Sequence, residues 1–160
     1  MSILQLLARK SASVVRMSGS RRRLMAEAAL VLAGARFALL FIPFRKLAVR
    51  LGEGLSPGDA AGPIAEIRNE DGAPLLAREI GWAVRRTARY APFRAMCLEQ
   101  ALAATWMLRR RGVRGVLHLG VSLGQGEERE MKAHAWFDAA GIPVTGYPVT
   151  PDFTEVACFV

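Results

Sequence analysis

Residues 97–112 read CLEQALAATWMLRRRG, and VRGVLHLGVSL follows directly at 113–123. The first run spaces Leu98, Ala101, Leu102, Thr105 and Leu108 three or four apart, which gathers them on one side of a helix that Gly112 ends. The second is rich in Val and Leu on alternating positions, the texture of a strand. A turn is expected at 124–128 (GQGEE). KAHAWFD (132–138) and IPVTGY (142–147) then flank Ala139-Ala140-Gly141 and predict a β-hairpin, with Pro143 at an edge or a strand's first positions. The closing VACFV predicts a last short strand.

Upstream of Cys97 the texture is helical. Residues 75–88 (LLAREIGWAVRRTA) set Leu76, Ile80 and Val84 four apart, and GEGLSPGDAAGP (52–63) is a loop rich in Gly and Pro. The stretch LMAEAALVLAGARFALLFIPF (24–44) is apolar over roughly the ~20 residues a bilayer span needs. Glu27 and Arg36 interrupt it and Pro43 closes it. It reads as a buried or partner-packed helix, with peripheral membrane contact through residues 20–50 as the second reading. The order is helices first, then a cysteine-bearing helix, then an antiparallel sheet: an α+β domain over 23–160 behind a basic extension at 1–22. One domain also suits 160 residues of which 52% are hydrophobic.

The formal charge of +8 is concentrated at the front. Residues 1–50 hold ten Lys and Arg against Glu27 alone, while the remaining 110 residues are close to neutral. No aromatic RNA-binding signature or zinc-finger spacing accompanies the basic front, so nucleic acid is not an expected partner. An anionic membrane surface remains open through the Arg21-Arg22-Arg23 cluster. The two cysteines, Cys97 and Cys158, suggest neither a disulfide framework nor a metal site, and the N-terminus lacks a signal-peptide pattern. The expected setting is cytoplasmic, with possible peripheral membrane association.

Cys97 stands where a loop turns into a helix. Backbone N–H groups and the helix dipole stabilise a thiolate at such a position. A thiol nucleophile also needs a base with a pKa near neutrality. His134 fits, 37 residues downstream: in KAHAWFD it shares one face with Trp136 and Asp138, from which it is expected to project toward the start of the Cys97 helix. His118, between two leucines, reads as structural. Asp138 shares the face but stands roughly 13 Å from His134 along the strand at ~3.3 Å per residue, too far to orient the ring. If the hairpin turns at Ala140-Gly141, the residue opposite His134 is Gly146 or Tyr147, and neither is a carboxylate. Asp152 folding back, a backbone carbonyl, the Tyr147 hydroxyl and no third group at all stay open.

CLEQALAATWMLRRRG, LHLGV and HAWFDAAGIPVTG, in this order, resemble the leader-peptidase (B) protein of lasso-peptide biosynthesis. That family belongs to the transglutaminase-like, papain-related superfamily of cysteine peptidases. The resemblance runs from about Arg23 to the C-terminus and is strongest over 97–146. It implies a transglutaminase-like core, with Cys97 as nucleophile and His134 as base, that removes the leader from a ribosomally made precursor peptide. The chain departs from the family pattern near Gly146-Tyr147, where the family's acid usually lies. The implied partners are the precursor, a separate leader-recognition protein and an ATP-dependent lasso cyclase. No P-loop is present and no cofactor or metal is expected. The alternatives are a non-catalytic scaffold that binds precursor and cyclase, a membrane-peripheral assembly factor, and a transglutaminase proper, in which an amine captures the thioester.

Overall fold

The structure is a computed structural model and describes residues 17–52, 54–56, 71–123 and 130–160. Its elements are α1 (Gly19–Phe41), α2 (Phe44–Leu51), β1 (Gly54–Leu55), α3 (Ala73–Ala88), α4 (Cys97–Arg109), β2 (Gly115–Leu123), β3 (Met131–Ala139), β4 (Ile142–Thr145) and β5 (Thr154–Phe159). The fold is the expected α+β arrangement. Most of the expected 52–63 loop and the 124–128 turn lie outside the described residues.

α1 starts at Gly19, so residues 19–22, assigned to the extension by sequence, are helical. Ser18 caps the helix by accepting from the Arg21 N–H, and Arg21 pairs with Glu79 on α3 at 2.9 Å. The two charges that interrupt the apolar stretch tie α1 to α4 and to the turn that follows it. Glu27 accepts from Arg111 at 2.6 Å, and Arg36 reaches Glu99 at 2.9 Å. Glu99 is only 3% exposed, so Arg36 compensates a carboxylate held in the core. Between these ties Ala28, Leu32, Ala35 and Ala38 are buried, and their small size lets α1 lie close on α3 and α4.

α4 is buried nearly all round, with Ala101 to Thr105, Met107 and Leu108 enclosed by α1, α3 and the sheet. Gly112, at φ 74°, reverses the chain into β2 as expected. The antiparallel sheet has the order β1-β5-β2-β3-β4. The hairpin turn at Ala140-Gly141 has positive φ at both residues, 51° and 71°, which suits the twist of a two-residue loop.

The helices cover one face of this sheet. Leu117, Ala135, Phe137, Ala139 and Val144 join α1, α3 and α4 in a single apolar core. The alternate residues of β2 and β3, among them His118, Gly120, His134, Trp136 and Asp138, form the outer face. The segment from Gly146 to Phe153 runs from β4, at one edge, to β5 on the far side of β2, and contacts that outer face on its way.

Candidate active site

Cys97 is the first residue of α4, half-buried and reduced. Gln100 secures the approach, its side-chain amide donating to the Ala95 carbonyl at 2.8 Å and its backbone N–H to Met96 at 3.1 Å. Met96, in the N-cap position, supplies no side-chain acceptor. The N–H groups of the first turn are therefore left to a substrate or to solvent.

Laid along β2 from Gly115, the rises of helix and strand put His134 at roughly the height of this helix start. From Arg109 back to Cys97 the helix climbs about 18 Å at ~1.5 Å per residue. A strand covers that height in about five or six residues. Counted from Gly115 this reaches Gly120 and Val121, whose partners across the ladder are His134 and Ala133. The two groups are nonetheless not joined. Among the described residues the Cys97 thiol has no hydrogen-bond partner, and His134 stands on the outer face whereas α4 packs on the inner one. The expected projection of the imidazole from the sheet straight toward Cys97 is thus corrected. The alternation carries the reason, because Ala135, Phe137 and Ala139 are the apolar set of β3 and take the helix side.

The ring of His134 is fixed through Nε2, which lies 2.7 Å from the Gly146 carbonyl oxygen. A carbonyl only accepts, so Nε2 carries a proton, and in the neutral ring Nδ1 holds the lone pair. The Phe153 ring, 5.2 Å away, and Trp136, 6.1 Å away, enclose the imidazole. Gly146 suits this place: its φ is 82°, and a Cβ there would stand 2.3 Å from the Ala135 carbonyl oxygen. Of the third groups left open by sequence, the backbone carbonyl is the one in contact with His134. Asp152 instead accepts from Ser122 Oγ at 2.9 Å, and that bond, after one from Thr150, lowers its pKa. At the level of His134 the sheet ends with β3, because β4 pairs only with Phe137 to Ala139.

Next to His134 lies a set of polar contacts centred on His118. Its ring stacks on Trp136 at 5.3 Å and 4°. Its Nδ1 is 2.8 Å from Glu155 and its Nε2 3.3 Å from Asp138. Burial opposes a charge on this ring, but the two carboxylates outweigh it and raise the pKa. Tyr147 donates to Asp138 at 2.5 Å, and burial followed by that carboxylate pushes its phenol well up. The structural reading of His118 is the one these contacts favour. Glu155, which completes the set, was not singled out in the sequence, since a surface glutamate on a short strand gives no signal of its own.

Residues 38–158 match the transglutaminase-like superfamily. The chain belongs to that superfamily. The match takes in α2 to β4 whole and all but the last residue of β5, with Cys97 and His134 inside it. The superfamily includes cysteine peptidases and transglutaminases, both of which pass an acyl group through a cysteine thiol. No curated protein and no solved structure matches the chain.

Proposed function

We propose that this transglutaminase-like protein is a cysteine peptidase that removes the leader from a ribosomally made lasso-peptide precursor. The observation that carries the reading is an uncapped helix start at Cys97 together with an imidazole on β3 whose Nε2 is held by the Gly146 carbonyl, which leaves Nδ1 as the lone-pair nitrogen of the neutral ring. The resemblance of CLEQALAATWMLRRRG and HAWFDAAGIPVTG to the lasso leader-peptidase family supplies the substrate class. In the reaction His134 Nδ1 takes the thiol proton and Cys97 Sγ attacks the carbonyl at the leader–core junction. The oxyanion is held by first-turn N–H groups of α4, that of Cys97 foremost. The protonated imidazole then gives its proton to the departing amine, and water, deprotonated by His134, hydrolyses the thioester.

For this the imidazole approaches the sulfur round the free edge of β3, a contact that closes when precursor binds; catalytic hydrogen bonds are often long in the unliganded enzyme. The Gly146 carbonyl keeps the tautomer, the role a carboxylate has in a full triad. A carbonyl stabilises imidazolium less than a carboxylate, so turnover is slow. The partners are the precursor, a separate recognition protein and an ATP-dependent cyclase, and the setting is cytoplasmic.

A second reading is a non-catalytic scaffold that binds precursor and cyclase. It is favoured by the unbonded thiol and the missing carboxylate. The test is mass spectrometry of the cognate precursor, incubated with its recognition protein and either the parent chain or Cys97→Ala. Cleavage at one junction by the parent alone supports the peptidase. A precursor that binds yet stays intact with both supports the scaffold, and a product joined to an amine indicates transglutamination.

A further inference from the structure

The solvent-facing side of α1 carries Ala26, Leu30, Ala33, Phe37, Leu40 and Phe41, spaced three or four apart except at the adjacent last pair. Leu30, Phe37, Leu40 and Phe41 are 76%, 63%, 62% and 68% exposed. Between Ala26 and Phe41 the exposed positions are apolar apart from the part-exposed Arg36, which is paired with Glu99, while Glu27 is paired with Arg111. Such a stripe is unusual on a free surface.

Cations stand at both of its ends. Arg22 and Arg23, at the start of α1, are exposed and make no ion pair among the described residues. Just past the other end α2 exposes Arg45, Lys46, Val49 and Arg50. There Ile42, Leu47 and Val49, with Lys46 and Arg50, line a recess of about 330 Å³. Glu27 is the sole acid from 17 to 52.

We propose that this face rests on an anionic membrane, with α1 lying in the plane of the interface. Leu30, Phe37, Leu40 and Phe41 enter the boundary between headgroups and acyl chains, while Arg22, Arg23, Lys46 and Arg50 meet the anionic headgroups. α1 is long and apolar enough to cross a bilayer, but its opposite face is committed to the core through Ala28, Leu32, Ala35 and Ala38. It therefore lies on the membrane and does not span it. A second copy is a poor occupant. Parallel pairing of the two stripes sets Arg22 and Arg23 against themselves, and antiparallel pairing sets them against Arg45 and Lys46.

The test is flotation of the full chain, at physiological salt, with vesicles of equal parts phosphatidylcholine and phosphatidylglycerol or of phosphatidylcholine alone. The parent is expected to float with the anionic vesicles and much less with the neutral ones. Removing two charges by Arg22→Gln with Arg23→Gln should weaken partitioning roughly thirtyfold, at ~1 kcal/mol for each arginine. Leu30→Gln, Phe37→Gln and Phe41→Gln together should abolish it. Circular dichroism checks that this variant folds, and Phe37→Gln alone, with a partial loss, carries the test if it does not. The proposal is overturned by a parent that stays at the bottom of the gradient. It is equally overturned by apolar variants that float like the parent, or by a parent dimer that the apolar variants dissociate.

Discussion

The two faces of the sheet are held by different forces. On the inner face the side chains of Leu117, Ala135, Phe137 and Val144 pack against helices in an apolar core, and Thr145 Oγ1 is buried there unbonded. On the outer face His118, Trp136, Asp138, Tyr147 and Glu155 hold one another by stacking, ion pairs and hydrogen bonds, half open to water. Burial of apolar surface fixes the first, and directional contacts that depend on protonation fix the second. Stability therefore resides on the helix side, while the base of the proposed reaction sits on the side that responds to pH.

Neighbouring residues of β3 offer the sharpest contrast. Phe137→Ala should cost about 3–5 kcal/mol in chemical denaturation, because its ring is fully buried. The adjacent Trp136→Ala removes a larger ring from the outer face and should cost less; the reverse order would break the comparison. Next in size is Arg36→Met, which leaves Glu99 buried without its partner. Arg36 is itself 40% exposed, so a loss of about 2 kcal/mol is expected, less than for a fully buried pair.

His118 tests the other face. Its folded pKa is raised, so its contribution to stability is full below about 6.5, the ordinary histidine value, and is lost as pH rises through the folded pKa. Denaturation midpoints should fall across that window and the fall should vanish in His118→Gln. Midpoints that climb with pH by the same residue would contradict the assigned partners. The smallest effect belongs to Arg21→Gln, which breaks an exposed pair with Glu79 and should leave the midpoint close to the parent's.

Much of this was legible in the sequence because periodicity and turn chemistry act locally. The α4 pattern, the Gly112 stop and the Ala140-Gly141 turn need no distant partner. β1 was not legible, since two residues, Gly54 and Leu55, form a strand only by pairing with Phe159 and Cys158. The start of α1 was set too late because three arginines mask the Ser18 cap. For the site, alternation placed His134 with Trp136 and Asp138, and the hairpin register placed Gly146 or Tyr147 opposite it, of which Gly146 makes the contact. The side of the sheet it faces follows from which residue set the helices cover, a tertiary choice that the apolar Ala135, Phe137 and Ala139 already indicated. Asp152 was a matter of loop path, and its Ser122 bond has no trace in local sequence.

In the proposed reaction Cys97 and His134 act as one unit although no hydrogen bond joins them in the unliganded chain. The rate of Cys97 alkylation by iodoacetamide at neutral pH, in a Cys158→Ala background with precursor present, tests it most directly. His134→Ala should slow alkylation several-fold while Asp152→Asn leaves it unchanged. Equal rates in the parent and His134→Ala would contradict it.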